Sequence, residues 1–175
     1  VKIEFINQLQ AFMEAGGDVL WAIFALTFLL WMLISERILF LKVNLPSLKA
    51  VKLKSWKERS DKSSWKAHRV RKQMISEMRR TLAQGVSFIK TLVALCPLLG
   101  LLGTVTGMVT VFDIMAVVGT GNPRSMASGI SMATIPTMAG MVVSISGIYF
   151  KTYLENKTRL ELEKFADELT LGGVS

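Results

Sequence analysis

The 175-residue chain carries a net charge of +8 and is 51% hydrophobic, with a mean hydropathy of +0.42. That apolar content is high for a water-soluble domain of this length and argues against a soluble fold. One cysteine and one histidine exclude an internal disulfide and a histidine-cluster metal site.

Residues 1–18 hold an amphipathic stripe of Ile3, Phe5, Ile6, Leu9, Phe12 and Met13 that ends at Gly16-Gly17. Such a stripe suits the outer interface of the membrane or the surface of a neighbouring subunit. Residues 19–35 then run without a formal charge, as do residues 91–112 and 125–150. A hydrocarbon core of roughly 30 Å takes about 17–25 helical residues, so each run is long enough to cross it. The first run is preceded by Glu14 and Asp18 rather than by basic residues, and no small-residue cleavage pattern follows Ser35. It therefore reads as a retained helix and not as a secretory signal. Trp21 and Trp31 lie near its two ends, where interfacial aromatics are common. The expected fold is an all-α polytopic membrane protein with three transmembrane helices, the second and third extended into the cytoplasm.

Residues 36–90 contain fifteen Lys or Arg against four acids. Basic residues gathered between two spans mark a cytoplasmic region, which puts residues 1–18 and the connection 113–124 in the periplasm and the helical tail 151–175 in the cytoplasm. The same distribution accounts for the positive charge without a nucleic-acid partner. Breaks are expected at Pro46 and at Ser60-Asp61-Lys62-Ser63-Ser64. Met74, Ile75, Met78, Leu82, Val86 and Ile89 recur at spacings of three and four, which predicts a helix from about Trp65 straight into the second span. Trp56 and Trp65, set among lysines, either grip anionic lipid headgroups or sit in a solvated loop. His68 is expected to be solvated. The outward connection, Gly119-Thr120-Gly121-Asn122-Pro123, is a turn cluster. The tail repeats an apolar stripe, Leu154, Thr158, Leu162, Phe165 and Leu169, up to Gly172-Gly173, and is expected to pack on the helix before the second span.

In the second span Gly100, Gly103, Thr104 and Gly107 share one helix face, and in the third Ala133, Thr137, Gly140, Ser144 and Gly147 do the same, with Pro136 between. Small residues at such spacing let membrane helices approach closely, so Gly100, Gly103, Gly107, Pro136, Gly140 and Gly147 are candidate packing and partner-helix contacts. Thr104 and Thr137 lie near mid-span at similar depth and, with Ser144, are candidates to line an ion path. Each hydroxyl also has a purely local use, bonding a carbonyl three or four residues back. Neither span contains Asp, Glu, His, Lys or Arg. A proton path along this face would need its titratable group from another chain. Cys96 reads as a small buried thiol. No GxSxG, Walker, HExxH or CxxC pattern occurs, so no catalytic residue, metal or cofactor is expected and the chain is not read as an enzyme.

The segments Pro97–Met108, PLLGLLGTVTGM, and Gly129–Gly140, GISMATIPTMAG, resemble the second- and third-helix motifs of the proton-channel family of ExbB, TolQ and MotA, most closely its ExbB branch. The resemblance extends to the three-helix plan and the basic cytoplasmic region. It implies an inner-membrane homopentamer whose second and third helices enclose the helices of an ExbD-like partner, which brings the proton-accepting aspartate. That complex would use the proton motive force to drive a TonB-like protein and so energise outer-membrane uptake, for example of iron siderophores. By motif position, Thr104 and Thr137 match the family threonines of the two helices. Met132 departs from the pattern, standing where many members have glutamate, and Ser146 stands where a later proline is usual. A TolQ-like subunit of an envelope-maintenance system is the nearest alternative, and a structural membrane scaffold with no ion path is the alternative of a different class.

Overall fold

The computed structural model describes residues 2–59, 64–119 and 123–169, and among them it contains helices and no strand. The elements are α1 (Lys2–Ala15), α2 (Gly17–Leu39), a π-helical turn (Phe40–Asn44), α3 (Leu45–Lys57), α4 (Trp65–Ala83), α5 (Val86–Val118) and α6 (Pro123–Glu168). Three helical stretches are long and apolar enough to cross a membrane. Their outward faces keep large apolar side chains in the open: Phe28 and Ile145 are each 70% exposed. Faces of that kind are stable only against lipid or another protein. The chain is thus a multi-pass helical membrane protein.

Two expectations about helix ends are corrected. Pro46 does not break the chain: the π-helical turn precedes it and α3 begins at Leu45, so the proline falls in a first helical turn. The helical run is continuous through it: just before the proline the Leu45 N–H reaches back five residues to the Phe40 carbonyl, so the bond Pro46 cannot make falls where the ladder has already widened. The helix from Trp65, by contrast, does not run unbroken into the second span. It stops at Ala83, and Gly85 adopts a left-handed φ of +83° before α5 starts at Val86. The apolar spacing continues across the junction and hides the stop, but glycine takes that conformation at little cost. The first break behaves as expected in kind, since Gly17, at φ +64°, separates α1 from α2. The side chains of Ile3, Phe5, Ile6 and Leu9, residues 60–63 and 120–122, and Gly172-Gly173 lie outside the described residues.

Contacts divide the chain into two units, residues 1–31 with 91–148 and residues 32–90 with 149–175. In the second unit, Leu45 and Trp56 of α3, Ala67, Met78 and Leu82 of α4, and Phe165 and Leu169 of α6 form one buried cluster. This is the packing expected between the tail and α4, with α3 added as a third wall. Trp56, only 2% exposed, is therefore a core residue and cannot hold a lipid headgroup. Trp65 is exposed and lies under the Arg69 guanidinium, whose carbon is 5.2 Å from the ring centre. His68 is exposed. Ser64 caps α4 by accepting from the Lys66 N–H at 3.2 Å, and Arg71, two turns further along α4, donates to the Leu169 and Ala166 carbonyls at the end of α6 at 2.8 Å.

Polar links tie α3 to the rest of this unit: Lys52 to Glu77 at 2.7 Å and Lys49 to Glu161. The Lys49 hydrogen bond, helped by Lys164 and Lys157, holds the Glu161 carboxyl below its ordinary value of 4.5, against a smaller opposing effect of burial. A carboxyl lowered in this way contributes stability that is present above its ordinary value and lost as pH falls through the folded one. Glu161→Gln is expected to flatten the acid side of the unfolding-temperature profile while leaving its neutral side nearly level, as thermal melts between pH 3 and 7 will show. Identical acid limbs in the two proteins would mean the pair carries no pH-dependent stability.

Candidate functional site

The seam between α5 and α6 collects the small residues singled out by spacing. A Cβ on Gly103 would stand 2.5 Å from the Pro136 Cβ, one on Gly107 2.5 Å from the Ala133 Cα, and one on Gly100 3.0 Å from the Thr137 Cα. From the other side, a Cβ on Gly140 would stand 2.5 Å from the Cys96 carbonyl oxygen and one on Gly147 2.7 Å from a Val93 methyl. Partner numbers rise on α5 as they fall on α6, so the two helices run antiparallel. Backbone meets backbone at Gly107, Gly100 and Gly140 because glycine has no side chain to hold the helices apart.

Hydroxyls complete the seam. Thr137 Oγ1 donates to the Gly100 carbonyl across it at 2.9 Å, with a longer contact of 3.4 Å to Ala133 of its own helix. Ser144, buried, donates to the Val93 carbonyl at 3.3 Å. That carbonyl has a particular need: its helical donor would be the N–H of residue 97, and Pro97 has none. Ser144 thus repairs what Pro97 removes. Thr104 behaves differently, since its hydroxyl turns back to Leu101 of its own helix at 2.7 Å and does not reach α6. Cys96 is fully buried and its thiol meets the Leu92 carbonyl at 3.3 Å.

The candidate residues therefore fall into two groups. Gly100, Gly103, Gly107, Pro136, Gly140, Gly147, Thr137 and Ser144 meet in one seam within the chain, whereas half-buried Thr104 lies at its edge. Along the opposite edge of α5, Thr106 and Thr110 face a cavity of about 190 Å³ together with Gly17, Asp18 and Met132. Motif spacing did not single out these threonines, and Asp18 lies just outside the uncharged run. The signal for them was the spacing of four between Thr106 and Thr110. Met132, in the position where a glutamate was expected by resemblance, is half-buried, with its terminal methyl 3.4 Å from where Gly17 would carry a Cβ.

A three-span helical protein with a hydroxyl-bearing, close-packed seam belongs to the class of membrane proteins that build paths or scaffolds from helix bundles. The MotA/TolQ/ExbB proton channel family model matches residues 39–167, and the chain belongs to that family. Among relatives, it is 38% identical over 86 residues to an ExbB-like biopolymer transport protein of Synechocystis, 31% over 75 residues to the biopolymer transport protein exbB1 of Vibrio cholerae, and 29% over 87 residues to the biopolymer transport protein ExbB of Aquifex aeolicus. Those alignments cover 47%, 42% and 50% of this chain and 34%, 33% and 59% of the respective relatives, so the chain matches only part of each.

Proposed function

We propose that the chain is a proton-channel or stator subunit of the bacterial inner membrane and not an enzyme. In this reading it forms a homopentamer around the helices of an ExbD-like partner. The complex spends the proton motive force on a TonB-like protein that energises outer-membrane uptake, for example of iron siderophores. Family membership over residues 39–167 supports the proton-channel class. The basic region 36–90 supports an N-terminus in the periplasm and a C-terminus in the cytoplasm. At a membrane potential of about 150 mV each inward charge releases about 3.5 kcal/mol.

The observation that carries the reading is Thr104, a half-buried hydroxyl at the edge of the seam that makes no bond to α6 and so remains available to water or to a partner helix. Its oxygen donates to Leu101 yet keeps acceptor capacity. The three uncharged runs hold no Asp, Glu, His, Lys or Arg, so Thr104 and Thr137 would guide a proton whose carrier is the partner's carboxylate. With the pentamer still assembled, Thr104→Val is expected to lower energised uptake roughly tenfold, equivalent to about 1.4 kcal/mol of barrier. Thr137→Ser, which keeps the cross-seam donor, is expected to keep uptake while Thr137→Val loses it. Siderophore uptake in cells, normalised to assembled complex, reads both.

One observation favours the scaffold reading: Thr137 and Ser144 spend their hydroxyls on α5 carbonyls. Full uptake in Thr104→Val and Thr137→Val would make packing their whole role. Co-purification with ExbD- and TonB-like proteins, rather than TolR- and TolA-like ones, separates the uptake pathway from a TolQ-like one.

A further inference from the structure

On the side of the spans where the basic residues gather, the second unit contains a cavity of about 330 Å³ between the run from α2 into α3 and the tail of α6. That volume is in the ordinary range for a small-ligand site. Ile38, Leu41, Leu45 and Pro46 give it an apolar floor, and its charged groups are Lys42, Lys49 and Lys157 against Glu161. The acid is already answered: Lys49 donates to its Oε2, and Lys164, outside the lining, stands 3.9 Å from its Oε1. Lys157, at 4.0 Å from the same oxygen, is at the outer limit of an ion pair, and exposed Lys42 has none among the described residues. Two ammonium groups and the hydroxyl of Tyr153, a residue 48% exposed, thus remain as donors for an anion.

Depth relative to the bilayer decides which anion fits. Lys42 follows the uncharged run 19–35 by seven residues, and Lys157 follows the run 125–150 by the same number. At about 1.5 Å per helical residue both lie roughly 10 Å beyond the hydrocarbon core, while Ile38 and Tyr153, three residues past those runs, lie about 5 Å beyond it. The headgroup layer is about 5–8 Å deep on each face, and lysine stems reach back several ångströms toward it. A lining that is apolar at the edge of the core and cationic one turn further matches a phospholipid from acyl chain to phosphate, whereas a free anion has no use for the floor. We propose that the cavity holds one anionic phospholipid, its phosphate between Lys42 and Lys157 and the upper part of an acyl chain against Ile38 and Leu41. The lipid adds a polar link between the α2–α3 run and α6 beside that of Lys49 to Glu161. This holds equally for a channel subunit and for a scaffold, so it goes beyond the functional reading above and does not depend on it.

The ordinary alternative is that these lysines are solvated and merely mark the basic side of the membrane. The test places the full chain in phosphatidylcholine nanodiscs and titrates in phosphatidylglycerol with a photoreactive group near the top of one acyl chain. Label is expected on residues 38–49 and 153–161, mapped by peptide mass spectrometry. The double variant Lys42→Gln with Lys157→Gln is expected to weaken the apparent affinity roughly thirtyfold, and Lys42→Gln alone about fivefold, at about 1 kcal/mol for each lysine. The single variant touches no ion pair and so keeps the test valid if the double one folds poorly. Lys66→Gln with Lys72→Gln removes the same charge from exposed positions of α4 outside the cavity and is expected to leave the affinity within twofold. Equal weakening by the two pairs overturns the proposal in favour of the chain's overall charge. Equal labelling by photoreactive phosphatidylcholine overturns it in favour of unselective annular lipid. Displacement by millimolar inorganic phosphate or glycerol 3-phosphate overturns it in favour of a soluble anion. No label on either segment also overturns it, and leaves the cavity to solvent or to a second copy of the chain.

Discussion

Replacing Gly107 with alanine is expected to destabilise the protein by about 1–3 kcal/mol, the range for forced overpacking, and replacing it with valine to prevent recovery of folded protein. The added carbon has nowhere to go. It would stand 2.5 Å from both the Cα and the backbone nitrogen of Ala133, and no rotamer change moves a backbone atom. The helices would have to separate, which weakens the Thr137 bond to Gly100 two turns along the same seam. Gly140→Ala should behave alike, because its new carbon would lie 2.5 Å from the Cys96 carbonyl. Gly129→Ala provides the contrast. Its carbon would come even closer, 2.3 Å, but to a Val111 side-chain methyl that can turn away, and alanine gains about 1 kcal/mol over glycine within a helix. Melting temperatures in detergent should therefore fall for Gly107→Ala and Gly140→Ala and change little for Gly129→Ala. A Gly107→Ala protein that melts with the parent would remove close backbone approach as the reason for that glycine.

That seam was largely readable from spacing, because glycine and threonine recurring at three and four residues fixes a helix face without any knowledge of the partner. Pairing was harder. Ser144 lies on the correct face, but only the antiparallel offset reveals that it answers the carbonyl left open by Pro97. The stop at Gly85 was hidden for a different reason: Met78, Leu82, Val86 and Ile89 keep helical spacing through it, and periodicity does not register one left-handed residue. Trp56 misled through its neighbours. Lysines around a tryptophan resemble a lipid-facing patch, yet Lys49 and Lys52 turn to Glu161 and Glu77 while the ring goes into the core. Asp18 was read as the flank of a span, since linear distance from Thr106 gives no sign that they share a cavity.

Arg37→Met is expected to cost roughly 2–6 kcal/mol, because it leaves two carbonyls without their donor at about 1–3 kcal/mol each. Arg37 is 6% exposed, and its Nη2 donates to the Thr81 and Leu82 carbonyls at 2.7 and 2.8 Å. Those two oxygens are open because α4 ends at Ala83 and the chain turns at Gly85, so no following turn of helix supplies an N–H. A guanidinium reaching from α2 does the work of a cap. Its carbon also lies 4.7 Å from the centre of the Phe40 ring, and a Cβ on Gly85 would come 3.5 Å from its Nε. Burial pushes the Arg37 pKa down, with Glu36 opposing, and the group stays charged because arginine begins so far above neutrality. Methionine keeps the apolar stem and the volume while removing every donor, so its cost isolates the hydrogen bonds from the packing. Lysine should recover part of the loss: it restores the charge and donors on one nitrogen but not the flat fork that matches two adjacent carbonyls. Thermal unfolding should thus rank the parent above Arg37→Lys and Arg37→Met lowest. Proteolysis should open first at Gln84-Gly85 in the methionine variant, where the uncapped end of α4 meets the left-handed residue. Equal melting temperatures for the parent and Arg37→Met would show that water reaches these carbonyls and that the bend at Gly85 holds without the arginine.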